Sequence, residues 1–157
     1  MPDLFRAYGK AAMSAAGLEQ CLVLVLALQR AHGESDSVFS REHNNLRKMT
    51  LGPLLQAAKN ELEYRGDPTD VFNQILECRN WLVHKVPSDT LGFVIQKDGV
   101  NNLEHNLLEI ANFFSAASDM LRENIVELSE HRGIPESLVV DLVTEAFNAK
   151  IESNKCS

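Results

Sequence analysis

Basic residues are in short supply. Lysine and arginine together number 15 against 22 aspartates and glutamates, for a formal net charge of −7. A balance of that sign excludes a chain that gathers nucleic acid by its overall field; contact with RNA would need a local cluster of basic groups. Cysteine is scarce and odd in number: Cys21, Cys78 and Cys156, none at metal-ligand spacing. That excludes a disulfide framework and fits free thiols in a reducing cytoplasm. Long hydrophobic runs are missing too. The longest, "CLVLVLAL" from Cys21 to Leu28, falls short of the ~20 residues needed to span a bilayer, and no basic segment precedes it as in a signal peptide. Neither Gly52 nor Gly66 belongs to a phosphate-cradling loop, and no dinucleotide fingerprint occurs. His32, His43 and His131 have no spacing with carboxylates or cysteines that makes a metal site. No metal, no cofactor and no membrane partner is therefore expected.

What the chain has is helical period almost throughout, with no sustained period-2 alternation. At 157 residues and 45% apolar content it reads as one domain, residues 1–157, able to bury a real core. A first helix is expected over about 4–32, apolar nearly all round between Cys21 and Leu28, so that neighbours cover it on most sides. A short helix follows near 41–48. Thr50 then caps a third, with Pro53 in its first turn. "RGDPTD" is a stop-and-start signal: Asp67 as N-cap, Pro68 at the first helical position, Asp70 complementing the dipole. The helix it opens should run to about Val86, stopped by Pro87. Beyond it, "PSDTLGFVIQKDG" is either a loop with a turn at Asp98-Gly99 or holds a short strand at 93–96. The clearest helix spans about 101–132, with one stripe from Leu103 to Leu128, and Gly133 ends it. A further helix is expected over about 135–152. The long helix also has a weaker, opposed stripe of Phe113, Ala116 and Met120, to be covered by that C-terminal helix or by another subunit. The expected fold is all-α: an up-and-down bundle of about five helices, with its core over 4–128.

The stretch "ECRNWLVHKV", Glu77 to Val86, carries the chemistry. Val71, Phe72, Ile75, Leu82 and Val86 share a helix face, and Arg79 falls among them. A guanidinium cannot lose its charge, so it needs a carboxylate or an anion there. Glu19, at the margin of the first helix's apolar face, is one candidate partner. Arg79 and His84 stand about 140° apart on a regular helix, so they converge only if the helix loosens before Pro87 or two copies meet across a dyad. His105 and Glu104 open the long helix with no spacing that ties them to this stretch.

"RNWLVH" resembles the signature of the HEPN superfamily: an Arg, four to six residues, then a His, with Asn or another polar residue often following the Arg. The upstream "MTLGPLLQAAKN" is similar to a segment of small bacterial members that pair a "TLGxLI"-like helix with an "RNxLxH"-like one. The resemblance covers roughly Leu4 to Leu128. It implies an all-α, metal-independent endoribonuclease acting as a homodimer on an RNA substrate, in some families the toxin held by an antitoxin protein, or a phage-defence component. Carried over, His84 acts as general base or acid, Arg79 binds the scissile phosphate and Asn80 orients His84 or the phosphate. Several such toxins carry a Tyr two places after the His as a target for modification. Here the triplet is His84-Lys85-Val86, which removes that control, while Lys85 offers a phosphate contact. The same residues also admit a non-catalytic dimerisation or interaction module, with Arg79 ion-paired in the core and His84 incidental. The acidic balance of the chain favours that alternative.

Overall fold

The two longest apolar stripes in the chain are each too large to bury alone, and they bury each other. In the computed structural model, which describes residues 2–95 and 98–133, helix α1 (Pro2–Arg30) and helix α6 (Gly99–His131) pack together along most of their length. Between them lie α2 (Asp36–Leu46), α3 (Leu51–Glu61), α4 (Thr69–Asn80) and α5 (Val86–Ile95). Every regular element among the described residues is helical, so the fold is an all-α bundle. A π-helical turn, Trp81–Lys85, joins α4 to α5 without a break, leaving five helical rods among the described residues. The helix expected over 135–152 lies outside them.

Matching ends fix the direction of the rods. Leu4 near the start of α1 shares a pocket with Leu103 and Leu107 near the start of α6. The Arg132 guanidinium, just past the end of α6, donates to the carbonyl of Ala31, just past the end of α1. The two long helices are therefore parallel. The α4–α5 rod runs the other way, with Arg79 opposite Glu19 and Val86 further back beside Leu4.

The periodic stripe of α6 is buried as expected, through Leu103, Leu107, Ala111, Phe114, Ala117, Leu121 and Ile125. On α1, every residue from Leu22 to Leu28 is buried, because α6, α2 and α3 each cover part of its circumference. By length and composition α1 is also apolar enough to cross a membrane. In the fold, Leu22 to Leu28 lie in the hydrophobic core of the bundle. The opposed stripe of α6 is only partly covered: Phe113 packs against the core, while Ala116 and Met120 are exposed.

Polar contacts tie the rods at their ends. Arg30 donates to both oxygens of Glu61 at 2.8 and 2.7 Å and lies 3.5 Å from Glu42, joining α1, α3 and α2. Arg132, its side chain 8% exposed, also donates to Asp36 at 3.2 Å and lies over the Phe39 ring. Tyr64 donates to the Ala58 carbonyl and meets Phe72 edge-on, and burial pushes its phenol up to about 12. At the start of α4 the cap is one residue later than expected. Pro68 is the N-cap, its carbonyl accepting from Phe72 N–H at 2.9 Å, while the Asp67 carboxylate accepts from the N–H and hydroxyl of Thr69. Those two bonds hold the Asp67 carboxyl below its usual range.

The largest correction concerns Pro87. Helix does not stop there, and neither a loop nor a strand follows: α5 runs on to Ile95. In a regular helix the proline ring would collide with the carbonyl of Val83 and leave it without a donor. The turn before it widens instead. Val86 N–H reaches back five residues to the Trp81 carbonyl, the mark of a π-turn. Pro87 thereby falls in the first turn of α5, where its missing N–H costs little. The Ser88 hydroxyl lies 2.9 Å from the His84 carbonyl and 3.0 Å from that of Lys85, so its one proton is shared between two acceptors beside the widened turn. The turn expected at Asp98-Gly99 is present, with Asp98 in the left-handed region at φ 67° and α6 starting at Gly99.

Candidate functional site

The apolar face of α4 places Arg79. Phe72, Ile75, Leu82 and Val86 are buried and Val71 half-buried, so the guanidinium one turn after Ile75 emerges at the edge of that buried face. There its Nε lies 3.8 Å from Oε1 of Glu19, with the two side chains 28% and 21% exposed. That separation is charge attraction, beyond hydrogen-bond length. Arg79 is thus partnered within its own chain, by the carboxylate that the sequence singled out, yet not sealed from solvent.

The other motif residues lie outside. Asn80, His84 and Lys85 are exposed, while Trp81 is half-buried and Leu82 fully so. The widened turn changes how they relate. A π-turn takes more residues per revolution than an α-turn, so Arg79 and His84 stand closer in angle than the roughly 140° of a regular helix. The loosening that their convergence required is present between them and Pro87. His105 takes no part: its Nε2 lies 3.3 Å from Glu109 on the open surface of α6.

Neither described thiol suits nucleophilic work. Burial pushes the Cys21 thiol up, outweighing the pull of Arg122 and a Ser118 hydrogen bond. Burial, with Glu77 beside it, does the same to Cys78. Cys156 lies outside the described residues. No group of three or more His, Cys, Asp or Glu side chains among the described residues is arranged to hold a metal ion.

Two further features escaped sequence reasoning. At the bundle end where α1 and α6 finish, His32 and His131 bring their rings to 5.6 Å on a pocket of about 300 Å³ shared with Gln29, Glu63 and Asn124. The two histidines are too far apart in the chain for any spacing rule to pair them. At the opposite end, Leu4, Phe5, Tyr8, Val86 and Pro87 line an apolar cavity of about 230 Å³. One signal was available there: Phe5 lies off the apolar stripe that contains Leu4, Ala7 and Tyr8, and an aromatic out of pattern marks an unpartnered surface.

Compared with known proteins, the chain matches no family model, no curated protein and no solved structure.

Proposed function

We propose that this chain is a metal-independent endoribonuclease of the HEPN kind, working in the cytoplasm as a homodimer with Arg79, Asn80 and His84 at a shared cleft. The observation that carries the reading is the π-turn within the motif. Such turns occur often at functional sites. This one loosens the helix between the cation and the imidazole and leaves Asn80, His84 and Lys85 open to solvent.

In this reading a neutral His84 takes the proton from a ribose 2′-hydroxyl as its oxygen attacks the adjacent phosphorus. The bond from phosphorus to the 5′-oxygen breaks, and an imidazolium returns a proton to that leaving oxygen. The products are a 2′,3′-cyclic phosphate and a 5′-hydroxyl. Arg79 stabilises the charge that grows on the phosphoryl oxygens. Glu19 holds the guanidinium at the edge of its own chain, Asn80 orients the imidazole and Lys85 binds a neighbouring phosphate. No cofactor is required. A role as a toxin held by an antitoxin protein, or in phage defence, follows from the motif's resemblance.

The test is cleavage of single-stranded RNA by the purified protein and its variants. Arg79→Ala and His84→Ala should each slow cleavage by about 10²–10⁴-fold with helicity unchanged, Arg79→Ala losing at most about 1 kcal/mol of stability with its Glu19 pair. Cleavage that persists in both variants sinks the assignment, as does a native protein that cuts no RNA.

A second reading has its own support. The Arg79–Glu19 pair supplies within one chain the countercharge that a substrate phosphate would otherwise provide. A non-catalytic dimerisation or interaction module needs nothing more from Arg79, and leaves His84 an exposed residue without a task.

A further inference from the structure

The turn between α2 and α3 lies at the depth of the motif. α3 ends at Glu61, beside Arg30 of α1. It begins where Gly52 faces Leu76 of α4, a Cβ there meeting the leucine Cδ1 at 4.0 Å. Glu19, eleven residues before Arg30, pairs with Arg79. Leu51, ten residues before Glu61, opens α3. With one rise per residue the two spans nearly match, so the start of α3 stands level with the Glu19–Arg79 pair. Asn80 follows Leu76 by four residues within the regular part of α4, on the side that meets α3. The turn that leads into α3, Arg47 to Thr50, therefore flanks the Asn80 end of α4.

That turn belongs to the longest stretch of the chain without an aspartate or glutamate, residues 43–60. Arg47 and Lys48 are both exposed, and neither forms an ion pair among the described residues. Burial keeps the nearby His43 toward its neutral form. Of the carboxylates on the neighbouring elements, Glu19 is held by Arg79, and Glu42 lies between Arg30 and Arg41 toward the far end of α1. Glu77 is exposed on α4. With Arg79, this corner sets three cations against Glu19 and Glu77, in a chain whose net charge is −7. Two adjacent, unpaired cations beside the proposed cleft complement an anion that runs on from it.

We propose that Arg47 and Lys48 hold the backbone of the RNA strand, contacting phosphates that flank the scissile one. The proposal rests on the ribonuclease reading for its substrate and adds how that substrate is held. It supplies the local group of basic residues that RNA contact demands of an acidic chain. Contacts to phosphate fix the position of a strand without reading its sequence. The corner therefore sets register and affinity, and leaves the choice of base to other residues.

The experiment is a fluorescence-anisotropy titration of a short, labelled single-stranded RNA into the full chain carrying His84→Ala, which prevents cleavage, repeated over a range of salt concentrations. Each phosphate contact to a single strand adds roughly 0.7 to the steepness of log K against log[salt], so Arg47→Ala with Lys48→Ala should weaken binding and flatten that slope by about 1.4. Arg65→Ala removes an exposed cation beyond the opposite end of α3 and should leave the slope unchanged. An unaltered slope in the double variant overturns the proposal, as does an equal flattening by Arg65→Ala, which would mean that only net charge matters. Basic residues at the end of α2 also complement its dipole, and the melting temperature is read alongside. A lower melting temperature with an unaltered slope gives Arg47 and Lys48 that structural task and overturns the proposal. A chain that binds no RNA at low salt overturns it too. Cleavage by the native protein is measured in parallel. A flattened slope without His84-dependent cleavage keeps the phosphate contacts and removes the ribonuclease; cleavage with an unaltered slope does the reverse.

Discussion

The guanidinium of Arg79 on α4 stands 3.8 Å from the carboxylate of Glu19 on α1, each side chain more than two-thirds covered. This contact spans two helices that run in opposite directions, and it joins the motif to the core helix of the bundle. Its length and partial exposure make it a modest contributor to stability, while it holds the cation at the opening of the proposed cleft.

Glu19→Gln separates the two functional readings. Loss of a partly exposed pair at this distance should cost under about 1 kcal/mol in a urea titration. In the ribonuclease, the same variant should slow RNA cleavage without abolishing it, because the guanidinium remains but loses its tether. A stability change with no effect on cleavage would leave Glu19 a structural partner alone.

Pro87→Ala addresses the π-turn. Alanine restores an N–H that can reach the Val83 carbonyl, so the wide turn loses the cause of its widening. The melting temperature should hold or rise, since alanine favours helix. Cleavage should fall, because His84 swings back toward its regular-helix angle from Arg79. A variant that cuts RNA at the native rate would show that the widened turn is irrelevant to activity.

Arg132→Met removes the clamp between the ends of α1 and α6. The side chain is nearly buried and donates to the Ala31 carbonyl as well as to Asp36. Its loss leaves a carbonyl at the end of α1 without its charged donor, a cost of roughly 1.5–3 kcal/mol, read as a lower urea midpoint. Arg132→Lys should recover only part of this, because an ammonium lacks the planar fork that lies over Phe39. Full recovery by lysine would reduce the clamp to charge alone.

His43 gives the fold an acid sensitivity. Burial, with Arg47 nearby, depresses its folded pKa below the ordinary value. The unfolded chain therefore takes up a proton first. Stability from this group is complete above the unfolded value of about 6.5 and declines as pH falls below it, until the folded state also protonates. Thermal melts between neutral and mildly acid pH should show that decline, and His43→Gln should flatten it. An equal acid loss in the variant would assign the effect to other groups.

The limits of sequence reasoning are visible at Pro87 and at Glu19. Proline has two meanings in helical sequence: an end, or a first turn. Choosing between them depends on whether the preceding turn can widen and whether something fills the carbonyls it exposes. Ser88 donates beside the turn, to the carbonyls of His84 and Lys85, but nothing in the order of the letters ranks that outcome above a loop. Glu19 was recognisable as a carboxylate at the margin of a stripe, and Arg79 as a charge in need of one. Their pairing is set by where α4 comes to rest relative to α1 once the whole bundle has packed. Phe5 was visible as an aromatic out of pattern, without any sign of the cavity beside it.

Periodicity alone was enough for the all-α class, the two long helices, the stripe from Leu103 to Ile125 and the isolation of Arg79 among apolar neighbours. These follow from side-chain order along a single rod, which repeats at a fixed angle. The parallel course of α1 and α6, the π-turn, the Arg79–Glu19 pair, the His32–His131 pocket and the cavity at Phe5 emerged from packing. Each depends on the distance and rotation between rods, and those are set by the burial of many side chains together.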